Sequence, residues 1–181
     1  MRKLLVVASI GAFGLLMSGV HASADPPAVC FGTDVNDGRA TDVDDYLSGT
    51  DDADVIALGF GDDQYFAALG NDAVCGNAGN DVIAGEGGAD RIDGGPGDDI
   101  ILGMGGDDVL RGNIGADEVR GGAGDDRVRG GTVSESRDDL YDGVGNDEII
   151  GTDEDVWHKC DDGMADDASD FTGIVVPDTE C

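Results

Sequence analysis

Large apolar side chains recur along this chain every nine residues. Ile56, Tyr65, Val74, Ile83, Ile92, Ile101, Leu110, Val119 and Val128 stand at that spacing without a gap. Neither a helix, with period 3.6, nor a strand, with period 2, produces it; a fixed longer period marks an internal repeat. Two residues before each apolar position stands an aspartate: Asp54, Asp63, Asp72, Asp81, Asp90, Asp99, Asp108, Asp117 and Asp126. Two residues before each of those from Asp63 on stands a glycine: Gly61, Gly70, Gly79, Gly88, Gly97, Gly106, Gly115 and Gly124, with Asp52 as the exception at the start. Five before the aspartate the residue is again glycine from Gly76 to Gly121, but Leu58 and Ala67 earlier.

The unit is therefore G-x-x-G-x-D-x-U-x, with U apolar, repeated nine times over the 81 residues from Gly49 to Arg129. Asp45 and Leu47 extend it one degraded unit upstream. Asp138 with Leu140 and Asp147 with Ile149 resume it downstream, after an insertion of three residues near 131–136. The x-U-x segment predicts a short strand with one side chain inward. Three residues make no sheet alone, but they do when stacked on the same strand of neighbouring turns. Glycine at the first and fourth places is expected to supply positive φ and close backbone approach for the turns. Stacked coils turn the U column into an internal apolar ladder. The predicted fold is all-β, a parallel β-solenoid of about nine to twelve units with a narrow core.

Composition adds a restriction. Forty acidic residues face ten basic ones, a net charge of −30. Such a surface rejects nucleic acid and anionic membranes and attracts cations. Acidic, aromatic-poor, glycine-rich sequence is ordinarily disordered; the repeat argues for order here. Residues 1–24 read as a secretory signal peptide: Arg2-Lys3, an apolar run from Leu4 to Val20, then Ala22-Ser23-Ala24. No other stretch is apolar enough to insert in a bilayer. Cys30, Cys75, Cys160 and Cys181 all follow the leader, which predicts two disulfides in an oxidising compartment. Three pairings are possible; Cys30–Cys75 with Cys160–Cys181 is favoured, each tying down a flank. The expected organisation is a leader (1–24), an N-terminal flank (25–48), the repeat array (49–150) and a C-terminal cap (151–181).

Units such as "GGPGDDIIL" and "GMGGDDVLR" resemble the RTX, or hemolysin-type, calcium-binding nonapeptide repeat over roughly residues 40 to 150. The resemblance implies a parallel β-roll with two units per coil. It also implies Ca²⁺ held by the aspartate side chains at Asp54, Asp63, Asp72, Asp81, Asp90, Asp99, Asp108, Asp117 and Asp126. Backbone carbonyls of the turns at Gly79, Gly88, Gly97, Gly106, Gly115 and Gly124 would complete the shell. Physical reasoning agrees. Aspartates 18 apart stack on one edge at the ~4.8 Å strand spacing and repel unless a cation lies between them. Ca²⁺ accepts six to eight oxygens, carbonyls included, whereas Mg²⁺ parts reluctantly with its waters. Pairing each aspartate with the one 18 on gives up to seven sites, with those from Asp81 to Asp126 the strongest and those beside Leu58 and Ala67 weaker.

The two sheets should differ outside. One shows Phe66, Val82, Ala84, Ile100 and Leu102, an apolar face suited to a flank, a protein or a cell-surface partner. The other shows Arg91, Arg111, Arg127 and Arg129 around Asp93. The tail holds Trp157 and His158, read as part of a cap or a small binding motif. Catalysis finds no support: no zinc-protease motif, no nucleophile elbow, and too little chain outside the repeats for a catalytic domain. The expected function is calcium binding by a secreted, structural or adhesive component that folds on Ca²⁺. The alternatives are a soluble calcium buffer or a non-catalytic remnant of a repeat-bearing hydrolase or toxin.

Overall fold

The computed structural model describes residues 29–30, 33–34, 41–131, 136–152, 154–160 and 164–178. The expected signal peptide, residues 132–135 of the insertion expected near 131–136, and Cys181 lie outside them. Among the described residues every regular element is a β-strand. A short antiparallel pair, β1 (Val29–Cys30) with β2 (Thr33–Asp34), precedes the solenoid. Strands then alternate between two parallel sheets. The eight-stranded sheet takes β3 (Tyr46–Ser48), β5 (Gln64–Phe66), β7 (Val82–Gly87), β9 (Ile100–Gly105), β11 (Glu118–Ala123), β13 (Asp139–Val144), β15 (Val156–Cys160) and β16 (Ile174–Asp178). The six-stranded sheet takes β4 (Val55–Phe60), β6 (Ala73–Ala78), β8 (Arg91–Pro96), β10 (Val109–Ile114), β12 (Arg127–Gly131) and β14 (Glu148–Ile150).

Register follows the repeat. Val74 pairs with Ile92, and Ile83 with Ile101, so residues 18 apart lie side by side. The insertion leaves this intact, since Val119 still pairs with Leu140. The U residues from Ile56 to Ile149 form one core cluster, closed at its C-terminal end by Trp157. Each buried Ile, Leu or Val contributes about 1.5–3 kcal/mol.

Most strands are longer than x-U-x. In β6, β7, β9, β10 and β11 they span six residues and run on through the glycine at place one. Alternation makes that glycine the second inward position, and Gly76, Gly94 and Gly112 are buried. This corrects the expected role of the first glycine. Positive φ falls at place four, as expected (Gly79 142°, Gly97 146°, Gly115 143°), and at place two instead of place one. Place two is often not glycine: Asn77, Glu86, Met104 and Asn113 hold φ between 68° and 82° there. The first glycine is required for space, because a Cβ on Gly76, Gly94 or Gly112 would collide with the carboxylate of Asp81, Asp99 or Asp117.

Cys30 and Cys75 form a disulfide that ties β1 to the outer face of β6. Cys160 is also disulfide-bonded; the expected partner, Cys181, is outside the described residues. The Val156–Cys160 and Ile174–Asp178 strands of the tail continue the eight-stranded sheet in parallel.

Candidate metal centre

The aspartates at place six form two interior columns, one at each edge of the coil. From Asp63 on, each uses Oδ1 to clasp the preceding coil. The Asp63 N–H donates to Asp81 Oδ1 at 2.9 Å, Asp81 N–H to Asp99 at 2.9 Å, and Asp99 N–H to Asp117 at 2.9 Å. On the other edge Asp54 N–H donates to Asp72 Oδ1 at 2.7 Å, Asp72 to Asp90 at 2.8 Å, Asp90 to Asp108 at 2.8 Å and Asp108 to Asp126 at 2.9 Å. The columns continue through Asp117 N–H to Asp138 at 2.9 Å, Asp126 N–H to Asp147 at 2.8 Å and Asp138 N–H to Asp155 at 3.0 Å.

Oδ2 has a different environment. In Asp63, Asp72, Asp81, Asp90, Asp99, Asp108, Asp117 and Asp126 it is buried and accepts no hydrogen bond from the described residues. These side chains are 1–3 % exposed. In the central units Oδ2 points at the Cα of the first-place glycine of its own unit. The carbonyl of the first-place glycine one coil on comes to the same spot: Gly94 O beside Gly76, and Gly121 O beside Gly103. A carboxylate oxygen and a carbonyl oxygen thus converge where a glycine leaves room. The carbonyls of Gly79, Gly88, Gly97 and Gly106 lie against the fourth-place Cα of the following coil.

Electrostatics mark the central units. Burial pushes the Asp99 carboxyl up to about 8, against the pull of the Asp81 amide and with further push from Asp117, Asp81 and Asp98. Asp117 and Asp126 rise to about 7, and Asp81, Asp90 and Asp108 to about 6, with burial the leading cause each time. Asp63 and Asp72 are raised by burial as well. Buried, half-bonded carboxylates of this kind are costly as anions without a compensating cation. The donor set is all oxygen and its charge is negative, which suits Ca²⁺ over softer metals.

At the ends the protein itself satisfies the second oxygen. Asp54 Oδ2 accepts from the Thr50 N–H at 2.7 Å and its hydroxyl at 3.0 Å. Thr41 does the same for Asp45, at 2.7 and 2.8 Å. Gly131 N–H donates to Asp138 Oδ2 at 2.5 Å. Leu58 and Ala67, both fully buried, take the first place in the units of Asp63 and Asp72. Asp142 takes it in the unit of Asp147, its carboxylate held by Cys160 N–H at 2.7 Å and Trp157 Nε1 at 3.1 Å. Asp142, Asp147 and Asp166 approach within 4.8 Å of one another, with Lys159 Nζ 2.7 Å from Asp166.

Sequence reasoning left one ladder unseen. At place five, Oδ1 of Asp or Asn accepts from the place-five N–H of the next coil: Asp62 from Asn80 at 2.8 Å, Asn80 from Asp98 at 2.8 Å, Asp98 from Ala116 at 2.9 Å. The place-six bonds run the opposite way along the axis. The signal was present, since place five from Asp62 to Asp125 is only Asp, Asn or Ala. Trp157, 5 % exposed, is the last core rung, and Asp155, two residues before it, fills the place-six role.

The matching family model is the RTX calcium-binding nonapeptide repeat (4 copies), over residues 39–74, 76–110 and 102–134. No curated protein and no solved structure matches the chain.

Proposed function

The chain belongs to the family of RTX calcium-binding nonapeptide repeats, and on that premise we propose that it is a secreted solenoid ordered by Ca²⁺, serving as a structural or cell-surface component. The observation that carries this is the unsatisfied Oδ2 of Asp63 through Asp126, which from Asp81 to Asp126 projects against a first-place glycine that has no side chain to block it. Asp81, Asp90, Asp99, Asp108, Asp117 and Asp126 would hold the ions, with carbonyls of the glycine turns. Asp63 and Asp72, crowded by Leu58 and Ala67, would hold them more weakly, and Asp54 least, because Thr50 already occupies its Oδ2. Bound calcium supplies divalent charge that offsets the buried carboxylates.

The role is structural rather than that of a buffer because the same carboxylates clasp neighbouring coils through Oδ1. Releasing the ions would release the clasp, so binding free energy is folding free energy. Secretion is supported by the Cys30–Cys75 disulfide, a bond typical of oxidising compartments. Extracellular modules bind calcium at ~10⁻⁴–10⁻³ M, so the chain would stay open inside a cell and fold outside.

The test is circular dichroism of the chain lacking residues 1–24, titrated with CaCl₂ and with MgCl₂ as control. Calcium is expected to induce the β-sheet signal, and magnesium to leave the chain unfolded. An unchanged spectrum and melting temperature after chelation would overturn the proposal.

A further inference from the structure

The outer face of the six-stranded sheet carries charge that neither the fold nor calcium explains. The whole chain holds ten basic residues, and four of them, Arg91, Arg111, Arg127 and Arg129, stand on β8, β10 and β12 of this one face. Arg111 and Arg129 are directly paired on adjacent strands, where like charges repel and destabilise the sheet. Two carboxylates accompany them. Asp93 pairs with Arg111 across the strands and accepts from Asn113 Nδ2 at 2.5 Å. Glu148 Oε1 lies 2.6 Å from an Arg127 nitrogen. Arg129 Nε is buried and donates to no acceptor among the described residues, and a buried donor left unmade is costly.

Arg111, Arg127 and Arg129 line a shallow cavity of about 220 Å³, with Val109, Leu110 and Ile150 as its apolar wall. We propose that this cavity is a binding site for a tetrahedral oxyanion, a sulfate or phosphate group, whether free or esterified to a small organic ligand. The guanidinium fork matches tetrahedral oxyanions, and the anion would relieve both the Arg111–Arg129 repulsion and the unmet Arg129 donor. Glu148 competes for the same cationic group. The inference rests on the sheet geometry and is independent of which cation orders the loops.

The experiment is calorimetric titration of the calcium-loaded chain, its folding verified by circular dichroism, with sodium sulfate and with a sulfated monosaccharide at constant ionic strength in chloride. One equivalent is expected to bind. Arg129→Gln should weaken binding about tenfold, as for the loss of one charge-assisted hydrogen bond. Glu148→Gln should tighten it severalfold, and Arg120→Gln, on the opposite sheet, should leave it unchanged. Equal affinity for both probes assigns the free ion as ligand, and tighter binding of the ester assigns an organic ligand that uses Val109 and Ile150. The proposal is overturned if folded protein shows no saturable binding, if Arg129→Gln and Arg120→Gln weaken it equally, or if Glu148→Gln has no effect.

Discussion

Asp99 has two carboxylate oxygens in two environments, and substitutions separate them. Asp99→Ala removes the acceptor of the Asp81 amide and leaves a buried N–H unmade, a loss of about 1–3 kcal/mol even before calcium is considered. Asp99→Asn keeps an oxygen for that amide and removes the charge. Its cost should therefore appear as a higher calcium concentration needed for folding, read by circular dichroism of the variant and the parent titrated side by side. Gly94→Ala fills the space into which Asp99 Oδ2 projects, at a position with no positive φ to forbid alanine. The damage from Gly94→Ala should shrink in an Asp99→Ala background, and a double-mutant cycle of melting free energies measures this coupling. The columns of Asp, Gly and apolar residues were legible because each role admits few residue types. Positive φ at place two was not, because Asn77, Glu86 and Met104 share the strained backbone while their side chains vary. The first glycine was misassigned for a related reason: glycine serves both conformational freedom and absence of volume, and the sequence does not say which.

At the level of the strand, each rung contributes one apolar residue to a core only one side chain wide. Ile101 is fully buried between Ile83 and Val119. Ile101→Ala should cost about 2–5 kcal/mol of the calcium-loaded stability in chemical denaturation. The Cys30–Cys75 bond closes a separation of 45 residues. Replacing both cysteines by serine should cost about 2–4 kcal/mol, read in the same assay. Sequence periodicity located the strands of the array, their sheet membership and the facing of Arg91, Arg111 and Arg129 against Val82, Ile100 and Leu102. It did not reveal β15, where Trp157 replaces the usual aliphatic rung and the glycines that flag a unit are gone. The core there is recognisable only from packing.

Across the whole molecule, protons and calcium compete. The unfolded carboxylates titrate near 3.8, whereas in the metal-free fold Asp81, Asp90 and Asp108 are raised to about 6, Asp117 and Asp126 to about 7 and Asp99 to about 8. Between those limits the folded state binds more protons than the unfolded one. The contribution of these groups to metal-free stability is therefore fully present below about pH 4 and is lost progressively as pH rises from there to about 8. Calcium binding expels the same protons, so its affinity should climb over that window. Titrations at pH 5 and pH 8 check the direction, and proton release on adding calcium checks the cause. The Oδ1 clasp has one more consequence. Each clasping carboxylate spans two coils, so an ion that fixes one coil half-organises the next, and an isolated filled site gains little. Coupled only to nearest neighbours, such a chain behaves as a one-dimensional cooperative array: ordering should switch on over a narrow band of calcium concentration, as a threshold rather than a gradual filling.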